Sequence, residues 1–169
     1  MKLNRILLFV LLPIIFLALL YLNGTIGVSK SQIEKQARMT LSVDPSWDSV
    51  IATGNGLSGM LFYDKTHSDY QYVIYSKRPN TFGYVFASGG CTQLERKGVV
   101  KYYRNSSEEA VYLSMNQQQV SRVRLNHGDN VELELDHTKP FAFILPSDIK
   151  DLSFYDIDGK SVEIFTDRY

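Results

Sequence analysis

Cys91 is the only cysteine in the chain. With His67 and Arg104 as candidate partners it would make a set for nucleophilic catalysis. In such a set a thiolate attacks, a histidine manages its proton and an arginine steadies the developing oxyanion. That would make the chain a cysteine-dependent transpeptidase or hydrolase. The thiol reacts only where its pKa is depressed in an accessible, electropositive setting. The run Ala87-Ser88-Gly89-Gly90-Cys91 supplies no adjacent charge, and a lone cysteine also serves as a small buried hydrophobe. One cysteine excludes an internal disulfide, so the fold must hold by packing alone.

Four metal-ligand types, His127, Asp129, Asp136 and His137, fall around one hairpin. The pairing derived below puts 127–129 at its turn and 136–137 at its open end. At about 3.3 Å per residue the two ends stand roughly 25 Å apart, too far to share an ion. Asp156-Ile157-Asp158-Gly159 has glycine fourth, where a calcium loop needs it sixth, and reads as a turn. No metal and no cofactor is expected. Gly54-Asn55-Gly56-Leu57-Ser58-Gly59 matches G-x-G-x-x-G, but a dinucleotide site requires a helix after it. Met60-Leu61-Phe62-Tyr63 follows and reads as strand, so the motif is a hairpin loop. Asn105-Ser106-Ser107 fits a glycosylation acceptor, which matters only in a eukaryotic source.

The tyrosines are the remaining candidates, for binding. Tyr70 and Tyr72 share one face of their strand, whereas Tyr102 and Tyr103 point to opposite faces. A partly exposed tyrosine on a rigid sheet gains contact area at low entropy cost; otherwise these rings furnish a core. Beyond residue 43 lie ten tyrosines, seven phenylalanines and Trp47, ample for a single core.

The elements that position these residues are strands. Runs of β-branched and aromatic residues recur every eight to twelve positions, at 47–53, 59–64, 70–77, 82–88, 98–104, 109–115, 119–125, 131–136, 141–145, 152–157 and 161–166. The fold class is mainly β, an antiparallel β-sandwich or small β-barrel over 44–169. In one hairpin the pairing can be derived. If partners sum to 256, Arg124 faces Glu132 and Arg122 faces Glu134, while Val123 faces Leu133 and Leu125 faces Val131. Opposite charges then lie directly across the ladder, and an odd sum would spoil both faces. The last hairpin turns at Asp158-Gly159, where both residues accept positive φ.

Ahead of this domain, Ile6–Leu22 is an uncharged run of 17 residues after Lys2 and Arg5. As a helix it spans roughly 25 Å and is expected to be a transmembrane signal-anchor, a cleaved signal being the other reading. Either places 44–169 outside the cytoplasm, with 1–5 cytoplasmic. Residues 23–43 read as a juxtamembrane connector, a stalk or a short amphipathic helix through Ile33, Ala37 and Leu41. Lys+Arg and Asp+Glu each number 18; without Lys2 and Arg5 the exported part holds 16 basic against 18 acidic groups, which argues against nucleic acid as a partner. The expectation is a single-pass extracytoplasmic β domain. It would meet membrane lipid through 6–22 and bind an envelope protein or polymer, without evident catalysis. The alternatives are the Cys91 enzyme and a membrane-complex assembly or immunity-type protein.

Overall fold

The computed structural model describes residues 11–19, 26–90, 98–104, 108–125, 131–149 and 151–169. Of the Ile6–Leu22 run, residues 11–19 are helical and exposed throughout; the rest of the run lies outside the described residues. Among the described residues, no helix is long and apolar enough to cross a membrane.

The mainly β reading holds, and the strands fall close to their expected bounds. β1 (Asp48–Thr53), β2 (Leu57–Tyr63), β3 (Tyr70–Ser76) and β4 (Val85–Gly90) form an antiparallel meander in chain order. A second sheet takes β5 (Val99–Tyr103), β6 (Glu109–Ser114), β9 (Phe141–Pro146) and β12 (Ile164–Arg168) in the order β12-β5-β6-β9. The third takes β7 (Val120–Leu125), β8 (Val131–Glu134), β10 (Leu152–Asp156) and β11 (Ser161–Val162) in the order β11-β10-β7-β8. Two features differ from a purely antiparallel sandwich. There are three sheets, and β12 lies parallel to β5 with Phe165 opposite Val100. The strand expected over 161–166 divides at Glu163. Val162 packs in the core beside the third sheet, and Phe165 in the core beside the first.

Alternation along the middle sheet explains the layering. On β6, Val111 and Leu113 face one core with Leu57, Leu61, Tyr72 and Ile74 of the first sheet. Ala110 and Tyr112 face the other, with Val120, Val123 and Phe154 of the third. Successive side chains of a strand point to opposite faces, so the middle sheet is buried on both. The outer face of the first sheet is covered too: Ile33 and Ala37 of the Ile33–Thr40 helix pack on Met60, Phe62, Val73 and Tyr75. Residues 26–43 therefore belong to the domain and do not stand off from it. Glu34 and Arg38 pair at i,i+4 (3.1 Å). The helix ends in a Schellman turn, with Ser42 at φ 52 and the Val43 N–H donated to the Arg38 carbonyl (2.9 Å).

The derived hairpin register is the observed one: Arg122–Glu134, Val123–Leu133, Arg124–Glu132 and Leu125–Val131 are opposite one another. Arg124 pairs with Glu132, whereas the Arg122 guanidinium stacks on Tyr155 at 5.3 Å. Val131 and Leu133, on the apolar side of β8, are exposed. Asp158-Gly159 forms the expected turn as a three-residue loop. Gly159 is at φ 77, and the Asp156 carboxylate accepts from the Asp158 and Lys160 N–H groups (3.0 and 2.8 Å).

Gly59 shows how tightly the first core closes. An added Cβ would overlap the Val111 side chain. Gly59→Ala is expected to destabilise the fold by roughly 1–3 kcal/mol through overpacking, read from the shift of the denaturant midpoint at unchanged m-value. No shift would mean that Val111 can move aside.

Candidate functional site

The first half of the G-x-G-x-x-G segment, residues 54–56, is the loop of the β1–β2 hairpin, and residues 57–59 open β2. Thr53 pairs with Ser58 across the ladder, and the Gly54 N–H donates to the Leu57 carbonyl (2.9 Å). The next three backbone N–H groups converge on one carboxylate. Asn55 donates to Glu109 Oε1 at 2.9 Å, and Gly56 and Leu57 donate to Oε2 at 2.9 and 3.0 Å. Convergent N–H groups of this kind form an anion-binding nest, here filled by the chain's own carboxylate from the first residue of β6. A Cβ at 54 would come within 2.5–2.7 Å of the Glu109 carboxyl group, so a larger residue there would displace that side chain from the loop. Partial burial pushes the Glu109 carboxyl upward, but the three N–H donors, with Lys30 nearby, outweigh it and hold its pKa below the ordinary value.

The loop is held from other sides as well. The Tyr84 hydroxyl donates to the Gly54 carbonyl (2.6 Å), Lys30 Nζ donates to the Thr53 carbonyl (3.1 Å), and the Lys77 N–H donates to the Gly56 carbonyl (2.8 Å). Beside it opens a cleft of about 470 Å³. Lys77 and Arg78 line it after β3, Arg104 after β5, and Glu108, Glu109 and Tyr169 contribute as well. Lys77 Nζ sits 4.8 Å from the centre of the Tyr84 ring. Among the described residues none of Lys77, Arg78 and Arg104 is in an ion pair. With Glu109 engaged by the loop, the cleft carries a cationic surplus suited to an anionic group.

The alternative catalytic set falls partly outside the described residues, and the two members within them lie apart. Cys91 lies outside the described residues. His67 sits in the β2–β3 loop at φ 58, its ring edge-on to Tyr63 at 5.0 Å. Arg104 lines the cleft with Gly56 and Leu57, at the other end of β2. The seven residues of β2 place about 20 Å between the His67 loop and that cleft. The binding tyrosines divide. Tyr72 and Tyr102 are core residues with rings stacked at 5.0 Å, leaving no outward surface for a partner. Tyr70 and Tyr103 are half-buried, and the Arg168 guanidinium lies 5.3 Å from the Tyr103 ring.

His127 and Asp129 lie outside the described residues. The Asp136 carboxylate is engaged by the Thr138 N–H and hydroxyl (3.0 and 2.6 Å) and by Lys139 (2.9 Å). Among the described residues no group of three or more His, Cys, Asp or Glu side chains is placed to hold a metal ion. Sequence reasoning missed Glu109, Lys77 and Arg78, and named Arg104 only as a partner of Cys91. The glycine loop signals a need for an anion, but nothing in the spacing names a carboxylate more than fifty positions away. Comparison of the chain with protein families, with curated proteins and with solved structures returns no match.

Proposed function

We propose that the chain is a single-pass, membrane-anchored β domain that acts outside the cytoplasm as a binding module of the cell envelope. One observation carries the reading: the helical residues 11–19 expose Leu11, Leu12, Ile14, Ile15, Phe16, Leu17 and Leu19, each about half or more accessible. Within the described chain nothing packs on this helix, and water is a poor environment for seven large apolar side chains in a row. They sit in an uncharged run preceded by Lys2 and Arg5, the order of a signal-anchor. The cationic cleft supports binding, since it offers a concave surface to an acidic group. The Cys91 enzyme gains no support from the described residues, because His67 and Arg104 belong to opposite ends of β2.

In membranes of expressing cells the intact chain is expected to stay in the pellet through alkaline carbonate washing. A chain deleted for residues 6–22 is expected in the supernatant. Protease added outside the cytoplasmic membrane should degrade the β domain while cytoplasmic markers survive. Carbonate release of the intact chain, or protection of the β domain, would sink the proposal. A mature N-terminus beyond residue 22 would replace the anchor with a cleaved signal.

A further inference from the structure

The β3–β4 loop is fixed beside the point where the domain leaves the apolar run. The Gly27 N–H donates to the Phe82 carbonyl (2.7 Å), and Val28 and Tyr84 exchange backbone hydrogen bonds in both directions (2.8 and 2.9 Å). Ile26 follows Leu22 by four residues, so even a fully extended chain separates them by at most about 14 Å. Phe82 is 74 % exposed, more than any other large apolar side chain among the described residues.

That exposure is built into a closed turn. Thr81 Oγ1 accepts from the Arg78 N–H (3.0 Å), and the Thr81 N–H donates to the Arg78 carbonyl (3.1 Å). Gly83 follows at φ +94, where a Cβ would meet the Val28 carbonyl at 2.6 Å. Cations outnumber acids at this end. Segments 26–33 and 77–86 contain Lys30, Lys77 and Arg78 and no acidic residue. Arg104 adds a fourth cation; the acids at the cleft are Glu108 and Glu109, the latter held by the glycine loop.

We infer that this end of the domain rests on the bilayer, with the Phe82 ring in the interfacial layer and Lys77 and Arg78 against the phosphates of anionic lipid. The inference rests on the anchor proposed above, which keeps the loop within a few residues' reach of the surface. A short tether makes that contact effectively intramolecular. Aromatic rings favour the headgroup level and basic residues favour an anionic leaflet. A lipid surface matches both features, an exposed ring and cations that are in no ion pair among the described residues, within the tether's reach.

The test uses the full chain reconstituted in phosphatidylcholine vesicles with and without phosphatidylglycerol, carrying brominated acyl chains. Phe82→Trp in a Trp47→Phe background reports on the loop. Ile157→Trp, on the β10–β11 turn of the third sheet and 51 % exposed in the natural chain, is the reference. Emission from position 82 is expected to be quenched about twofold and position 157 left unchanged. Lys77→Gln with Arg78→Gln should bring quenching in anionic vesicles down to the level of neutral ones. Equal quenching at 82 and 157 in vesicles that retain the chain overturns the contact while the anchor stands. Quenching unaffected by the double substitution overturns the phosphate contact. A chain that carbonate strips from the vesicles overturns the anchor and the contact together.

Discussion

Glu109→Ala is expected to lower the stability of the domain by about 3 kcal/mol, a fall in Tm of roughly 6–12 °C for a domain of this size. The substitution removes the acceptor of three N–H groups, of which Asn55 is exposed and Gly56 and Leu57 are partly buried. Leu57 is almost completely buried in the folded chain, and hydrogen bonds to a charged acceptor are each worth more than neutral ones. Glu109→Gln should fall between the two proteins, because one amide oxygen replaces two carboxylate oxygens and its NH2 meets N–H groups head-on. The pH dependence separates charge from shape. The folded-state pKa of Glu109 lies below its ordinary value of 4.5, so its contribution is fully present above that value. It is lost as pH falls through the depressed pKa of the folded state. The stability difference between the natural chain and the Glu109→Gln variant should therefore be constant from neutral pH down to about 5 and shrink on further acidification. A difference that persists unchanged in acid would mean that the carboxylate charge is not what the loop needs.

The same loop marks the limit of what the sequence discloses. Features decided within a dozen residues were legible. Arg122 and Arg124 can meet Glu134 and Glu132 only in an even register, and strict alternation forbids the slip, so the pairing follows from the residues alone. Asp158-Gly159 is a turn because Gly159 takes positive φ without strain. Features assembled from distant parts were not legible. β2 and β3 are apolar on both faces, which announces burial but does not name the two layers that cover them. One proved to be the middle sheet and the other the Ile33–Thr40 helix. That helix was visible as a four-residue period, yet a period reports a buried face and not its destination. The cleft draws its cations from after β3 and after β5, so no local spacing could assemble it. Tyr72 and Tyr102 illustrate the converse. Their polar tips suited them to a surface, but alternation with Ile74 and Val100 carries both into the same core.

Asn116→Asp is expected to cost on the order of 4 kcal/mol, at the upper end of single substitutions, because it places an acceptor-only group among carbonyls. In the sequence Asn116 opens a polar run, Asn116-Gln117-Gln118-Gln119. In the fold its side chain is buried. Nδ2 donates to the Val120, Asp136 and Lys139 carbonyls (3.2, 3.3 and 3.0 Å), and Oδ1 accepts from the Val120 N–H (2.7 Å). One amide thus closes the β6–β7 turn and ties it to the segment between β8 and β9. Aspartate keeps the bond to Val120 N–H but loses every donor, and its charge faces three carbonyl oxygens away from water. Backbone conformation does not account for the loss, since Asn116 sits at φ 56 and aspartate tolerates that region nearly as well. Asn116→Gly provides the control: it accepts the backbone angle, removes the side-chain bonds without adding a charge, and should lose clearly less than aspartate. Denaturant titrations of the three full-length proteins in detergent decide the matter. If aspartate is no worse than glycine, the carbonyl cluster is open to water and the amide is not the clasp that joins the third sheet to the middle one.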